Sequence, residues 1–177
     1  SASTNEDTAV TKTLSVVDVD TIQGMTRSIV SNPSNGSVVL TGSGSQIATY
    51  TPNANWNGTD TFTWKANDGT DDSNTATVTV TVAAVNDVPI ATGNGLTINE
   101  DASGSTFTMS GTDVDGDDLI RILTVIPSNG DAYNDAGGGD PDGSALAVGD
   151  TLASVFTIYN PDANWNGTDI IEFKVND

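Results

Sequence analysis

The sequence predicts an all-β fold made of two tandem Greek-key β-sandwiches placed end to end. Three observations carry this expectation. Apolar and polar residues alternate in short runs, the period of two that belongs to strands. Turn signals such as SNG, NG and DG punctuate those runs, and no helical periodicity persists for three turns. The chain also says the same things twice. NED stands at 5–7 and 99–101, DVD at 18–20 and 113–115, PSNG at 33–36 and 127–130. NANWNGTD at 53–60 is answered by DANWNGTD at 162–169, and ND closes a run at 67–68 and again at 176–177. The offset between copies stays nearly constant and then widens, so the second copy carries an insertion at about 131–150, DAYNDAGGGDPDGSALAVGD. The predicted units are residues 1–85 and 86–177, joined at AAVNDVPIATGN.

The elements follow in order. In the first unit, NED sits at the end of a polar opening strand. NANWNGTD is a polar turn with a Trp inside it. Two readings of that Trp stay open: a corner that buries Trp56 over the end of the core, with Gly supplying a positive φ, or an exposed platform that stacks on sugar rings. Trp165 poses the same choice in the second copy. TFTWKA then turns Phe62, Trp64 and Ala66 inward and Thr63 and Lys65 outward. TATVTVTV places Ala76, Val78, Val80 and Val82 on one face and Thr on the other. In the second unit, IEFKV repeats the inward pattern with Ile171, Phe173 and Val175. Short strands in units of this size form Greek-key sandwiches.

Composition narrows function. The chain of 177 residues has no Cys and no His, which removes disulfide scaffolds, thiolate zinc sites, Cys nucleophiles and His-based triads. Twenty-four acidic residues against five basic ones give a formal charge of −19. Nucleic acid and anionic lipid are poor partners for such a surface, because phosphates are neutralised by Lys and Arg. No run is long and apolar enough to span a membrane. No phosphate loop or nucleophile–base pair is present, so the expectation is a protein that is not an enzyme.

The acids fall into patterns. Asp18 and Asp20 flank one Val, as do Asp113 and Asp115, and residues two apart on a strand share a face. With so few basic residues, the expected counter-charge is a cation. Ligands that are oxygen only select a hard one, and calcium tolerates irregular cages of carboxylates, amides and carbonyls. DVDGDD, which includes Asp117, combines spaced acids with a Gly turn, without the spacing of an EF-hand. A solvated acidic turn is the competing reading. The insertion NDAGGGDPDG (134–143) is either a further calcium loop or a flexible acidic excursion.

Taken in order, NED, DVDGDDL, YTPNANWNGTDTFTWKANDG, ATVTVTV and VNDVP resemble the bacterial cadherin-like repeats of large surface adhesins and extracellular matrix proteins. The resemblance spans essentially the whole chain. It implies cadherin/Ig-like sandwiches with Ca2+ at the junctions. Matched by position, the ligands it implies are Glu6 on the first strand, Asp60 before the penultimate strand, Asn86 and Asp87 of the linker, and Asp113 and Asp115 of the next unit. Glu100 is the second unit's counterpart of Glu6. Ala84 stands where the family places an acid, and NDVP replaces NDNxP, which implies fewer or weaker ions. The resemblance also implies an extracellular or cell-surface location, and a role as a calcium-rigidified stalk, adhesin or filament segment.

Two further expectations concern partners. The second unit stops at Asp177 without a counterpart of TATVTVTV, and the first opens with only SAST before NED. Either the chain is cut from a longer array, or strands pass between neighbouring repeats or identical subunits, as in donor-strand fibres. The alternative function is a carbohydrate-binding accessory module that holds polysaccharide through Trp56 or Trp165.

Overall fold

The computed structural model describes residues 1–17, 24–135, 143, 145–152 and 155–177. Contacts divide the chain into two compact units, Ser1–Val85 and Asn86–Asp177. Both are built from strands, and the only helical turn among the described residues is a short 3-10 turn at Ser43–Ser45.

The first unit is a two-sheet sandwich. One sheet holds β1 (Ala2–Asn5), β3 (Thr26–Ser31), β6 (Gly58–Asn67) and β7 (Ala76–Ala83), in the order β1-β7-β6-β3. The other holds β2 (Val10–Thr13), β4 (Gly36–Thr41) and β5 (Ile47–Pro52), in the order β2-β5-β4. Successive strands keep crossing between the sheets, which is the Greek-key habit. Neighbours run antiparallel except β1 and β7, which are parallel, with Ala2 opposite Val80 and Asn5 opposite Ala83. β7 is therefore an inner strand, bonded to β1 on one edge and to β6 on the other.

The predicted alternation is what fills the core. Phe62, Trp64 and Ala66 of β6 and Val78, Val80 and Val82 of β7 are all buried, against Leu14, Met25, Ala48 and Tyr50. Trp56 packs half-buried on the same cluster, so it has the corner role rather than that of an exposed platform. Lys65 points outward and pairs with Asp72 at 2.5 Å.

The second unit repeats this plan. Its strands are β8 (Ile90–Thr92), β9 (Ser105–Thr108), β10 (Ser110–Thr112), β11 (Ile120–Val125), β12 (Gly130–Asn134), β13 (Thr151–Leu152), β14 (Phe156–Pro161) and β15 (Glu172–Asn176). The sheet β12-β14-β9 reproduces β4-β5-β2. β11 and β15 reproduce β3 and β6, including a register shift at the same place, Ile29/Ser31 in one and Leu123/Val125 in the other. Directly after the insertion, β13 joins the free edge of β11, and its Leu152 is buried. β8 pairs with β10. Asp18 and Asp20, and most of the acidic stretch 134–143, lie outside the described residues.

The second core is smaller. Met109, Leu123 and Leu152 are buried, while Ile171 and Phe173, the counterparts of Phe62 and Trp64, are only half-buried. Deleting a fully buried Phe side chain costs about 3–5 kcal/mol through lost transfer energy and an unfilled cavity. Phe62→Ala should fall in that range. Phe173→Ala should cost roughly half as much, because it leaves less of a void. Urea titrations followed by residue-resolved NMR amide intensities separate the two units and check both values.

Candidate functional site

The acids singled out in the sequence divide into two groups with different tasks. The first group holds turns. Asp60, near the start of β6, is buried under the PSNG turn that joins β3 to β4. Its Oδ1 accepts the backbone N–H of Ser34 (3.0 Å) and of Thr61 (2.8 Å). Its Oδ2 accepts the N–H of Asn35 (2.8 Å) and the hydroxyl of Tyr50 (3.1 Å). Asp169 does the same in the second unit. It accepts from Ser128 (2.9 Å), Asn129 (2.8 Å), Ile170 (3.0 Å) and the Tyr159 hydroxyl (3.2 Å). A carboxylate offers about four lone-pair positions. Those of Asp60, expected as a calcium ligand, are engaged by protein donors in this structure.

The Gly that closes PSNG belongs to this knot. A Cβ on Gly36 would lie 2.5 Å from the Thr51 carbonyl oxygen and 2.8 Å from the Tyr50 ring, and one on Gly130 would lie 2.4 Å from the Asn160 carbonyl oxygen. The Asp of each NED adds a second clamp. Asp7 and Asp101 take positive φ (55° and 60°), and their Oδ1 atoms accept the backbone N–H of Asn55 (3.0 Å) and Asn164 (2.8 Å). The repeated phrases are thus bonded to one another: NED holds the Trp turn, and the GTD that ends the Trp turn holds PSNG.

The second group is the acidic loop of the second unit. One oxygen from each of Asp113, Asp115 and Asp117 lies within 4.8 Å of the others. Asp113 Oδ1 accepts the N–H of Asp115 (2.8 Å) and of Gly116 (3.1 Å), and this folds the loop back on itself. Asp113 Oδ2 is shielded from solvent and accepts no hydrogen bond from the described residues. The linker reaches this loop, since Asp87 N–H donates to Asp115 Oδ2 at 2.7 Å. Asn86 donates its side-chain amide to Asp177, a partner the sequence reading did not assign to it.

The two remaining candidates lie in different surroundings. Glu6, in the first unit, is buried, and its Oε1 accepts the N–H of Val85 at 2.6 Å. Its own N–H donates to the Ala83 carbonyl (2.9 Å). Glu100 is exposed.

The model of the Bacterial Ig domain family matches residues 1–81 and again 86–177. The chain belongs to the bacterial Ig domain family. Two solved structures of an endo-fucoidan hydrolase from glycoside hydrolase family 107 are similar to it at 15% and 17% identity, with TM-scores of 0.40 and 0.41. Each comparison covers 98% of this chain but only 26% and 25% of the hydrolase chain, so the bacterial Ig pair spans about a quarter of that protein's length. No curated protein matches the chain. Among the described residues no helix is long and apolar enough to cross a membrane.

The turn carboxylates of these bacterial Ig units have shifted titrations. Burial pushes the Asp60 carboxyl up, but the N–H groups of Asn35, Ser34 and Thr61 and the Tyr50 hydroxyl outweigh it and hold it below the usual range. Asp169 is lowered for the same reasons by Ser128, Asn129, Ile170 and Tyr159. Burial, then the hydrogen bond and charge of Asp60, push Tyr50 up to about 12. Burial, then the charge and hydrogen bond of Asp169 and the charge of Asp162, do the same to Tyr159, also to about 12.

Asp60→Ala removes the carboxylate acceptor of three backbone N–H groups and leaves the Tyr50 hydroxyl only the Asn35 carbonyl at 3.3 Å; a donor buried without a partner costs about 1–3 kcal/mol. We expect a loss of about 3 kcal/mol or more for the first unit, and about 1 kcal/mol for Tyr50→Phe, both measured by urea denaturation. The pH dependence has two arms. A carboxyl lowered in the folded state contributes stability that is fully present above its unfolded value, about 3.9, and is lost as pH falls through the folded value. A raised tyrosine contributes stability that is fully present below about 10 and is lost as pH rises towards 12. Urea midpoints should therefore stay level between these limits and fall below about pH 4 and above about pH 10. The acid arm should weaken in the Asp60→Asn and Asp169→Asn variants.

Proposed function

We propose that the chain is a calcium-bound, cadherin-like structural repeat of a secreted or cell-surface protein, serving in an adhesin, stalk or extracellular filament. The observation that carries the reading is the loop at Asp113, Asp115 and Asp117. Three carboxylates converge there, and Asp113 directs toward the protein an oxygen that no described donor satisfies. Carboxylates so close repel one another unless a cation stands among them, and a donor set of oxygens alone suits calcium. Three of the protein's five basic side chains are used elsewhere. Arg27 donates to the carbonyls of Met25 and Gly44, Arg121 to those of Met109 and Leu119, and the single ion pair among the described residues is Lys65–Asp72.

The proposed ligand set is Asp113, Asp115 and Asp117, with Asp87 tied to Asp115 through its amide. Bound calcium would supply positive charge that cancels their repulsion. Because Asp87 belongs to the linker, the same cation would order the chain around Asn86 and Asp87. Partners in this reading are neighbouring repeats or identical subunits. Catalysis has no part in it, since the recurring acids hold turns in both units.

Isothermal titration of the chelator-stripped chain with Ca2+ tests the proposal. We expect saturable binding, an affinity at least about tenfold weaker in Asp113→Asn, and a rise in the melting temperature of the second unit as calcium is added. Small-angle scattering should show a narrower spread of maximum dimension with calcium than with chelator. A titration flat to millimolar Ca2+ would sink this reading.

A further inference from the structure

Charge is spread unevenly along the chain. Charged residues make up 16% of it, yet none stands between Ser28 and Thr59. The counterpart stretch of the second unit, 122–168, carries six Asp. The neutral stretch contains the whole of β4, and β4 ends its sheet. β5 bonds it on one side, and among the described residues no strand bonds it on the other. Alternate residues of such a strand turn their N–H and C=O groups outward, which makes a template for a further strand.

Sheet edges are ordinarily blocked by charge, Pro, a bulge or shortness. Comparable edges of this chain are blocked in these ways. β2, at the other end of the same sheet, has four residues and carries Lys12. β3 carries Arg27 and the register shift at Ile29/Ser31. In the second unit β12, the counterpart of β4, carries Asp131, and its Ala132 carbonyl already accepts the N–H of Leu146 at 2.7 Å. β4 has none of these guards. Its six residues, GSVVLT, hold neither charge nor Pro, and they keep an unbroken register with β5 from Gly36 opposite Pro52 to Thr41 opposite Ile47. Val38 and Leu40 pack on the core, while Ser37, Val39 and Thr41 form the outer row, with Val39 59% exposed.

We infer that the free edge of β4 is a self-association surface, and that its occupant is β4 of a second copy of this chain, paired antiparallel across a two-fold axis. Charge selects this occupant. Two chains of −19 repel wherever their acids meet, and the charge-free stretch is where two copies approach at least cost. The strand is also self-complementary. Centred on Val39, antiparallel pairing sets Val39 against its own copy, Ser37 against Thr41 and Val38 against Leu40. Hydroxyl then meets hydroxyl and aliphatic meets aliphatic, the cross-strand pairs that stabilise a sheet. A two-fold contact of this kind closes on itself and gives a dimer rather than a fibre. The surface lies wholly within the first unit, so it does not rest on calcium at the acidic loop of the second.

Sedimentation equilibrium of the full chain, in calcium and again in chelator, tests the inference. We expect a reversible monomer–dimer equilibrium in both buffers, with a dissociation constant below about 1 mM in about 0.5 M NaCl, weakening as the salt that screens the acids is removed. Amide exchange at 37–41 should slow as the chain concentration rises. Val39→Lys puts two ammonium groups face to face and should weaken the dimer about tenfold or more. Val30→Lys, at an exposed valine of β3, should leave it unchanged, and both variants should melt like the parent. An equimolar mixture of Val39→Lys and Val39→Glu chains should associate about tenfold more tightly than either alone, because only pairing centred on Val39 sets those two side chains opposite each other. The inference is overturned if the chain stays monomeric to about 1 mM in both buffers, even where an added extended peptide protects 37–41. It is also overturned if the two lysine variants behave alike, if the mixture gains nothing, or if protection maps to other residues. Dimers that vanish in chelator would overturn it too, whereas a flat calcium titration beside a dimer in both buffers would remove the calcium reading alone.

Discussion

The hydrogen-bonded carboxylate that ends each GTD is the interaction on which the module depends. Asp60 sits on one sheet, Tyr50 on the other, and the PSNG turn on the crossing between them. Four hydrogen bonds at one side chain therefore fix where the chain changes sheets. A turn at that position exposes two backbone N–H groups to a half-buried environment, where unpaired donors are costly. An ionised acceptor satisfies both and stays ionised, because the donors outweigh the cost of burial. Asp169 repeats the arrangement with a different insertion and a different core around it, which marks the knot as a requirement of the fold rather than of one sequence.

Once that knot is recognised, the high acid content has two sources. Some carboxylates replace backbone partners: Asp7, Asp60, Asp101 and Asp169 each accept main-chain N–H groups. Others, at Asp113, Asp115 and Asp117, face one another. In the first kind the charge is met by N–H dipoles. In the second, Asp113 and Asp115 accept main-chain N–H groups too, but one shielded oxygen of Asp113 has no donor among the described residues, and no Lys or Arg pairs with the group. Charge counted over the whole chain cannot separate these cases, whereas hydrogen-bond accounting can.

The strands, the doubled plan and the core-facing residues were legible in the sequence because a period of two and a self-repeat are local signals. Val78, Val80, Phe62 and Trp64 are buried as the alternation predicts. The DVDGDD loop was legible too, since its acids are close in sequence. Asp60 was not, because three of its four donors lie 10 to 26 residues away and no local pattern distinguishes a carboxylate facing N–H groups from one facing a cation. A signal was nonetheless present: PSNG, a Tyr and GTD recur together in both copies, and a residue that recurs with a turn is a candidate for holding that turn. The two arginines that bind carbonyls, Arg27 and Arg121, also recur at matching positions, and the sequence reading passed over them.

The two copies also offer a controlled comparison of what makes a strand. Thr61 and Phe62 lie in regular strand, while their counterparts Ile170 and Ile171 do not. Intrinsic preference runs the other way, since a pair of β-branched isoleucines suits a pleated surface better. The difference lies in the neighbour: the first pair bonds Thr79 and Val78 of β7, and the second has no strand alongside it among the described residues. Ladder partners outrank side-chain propensity here, because an extended segment gains its regularity from bonds on its edges. Without such a ladder among the described residues, Ile170 is 59% exposed and Ile171 half-buried.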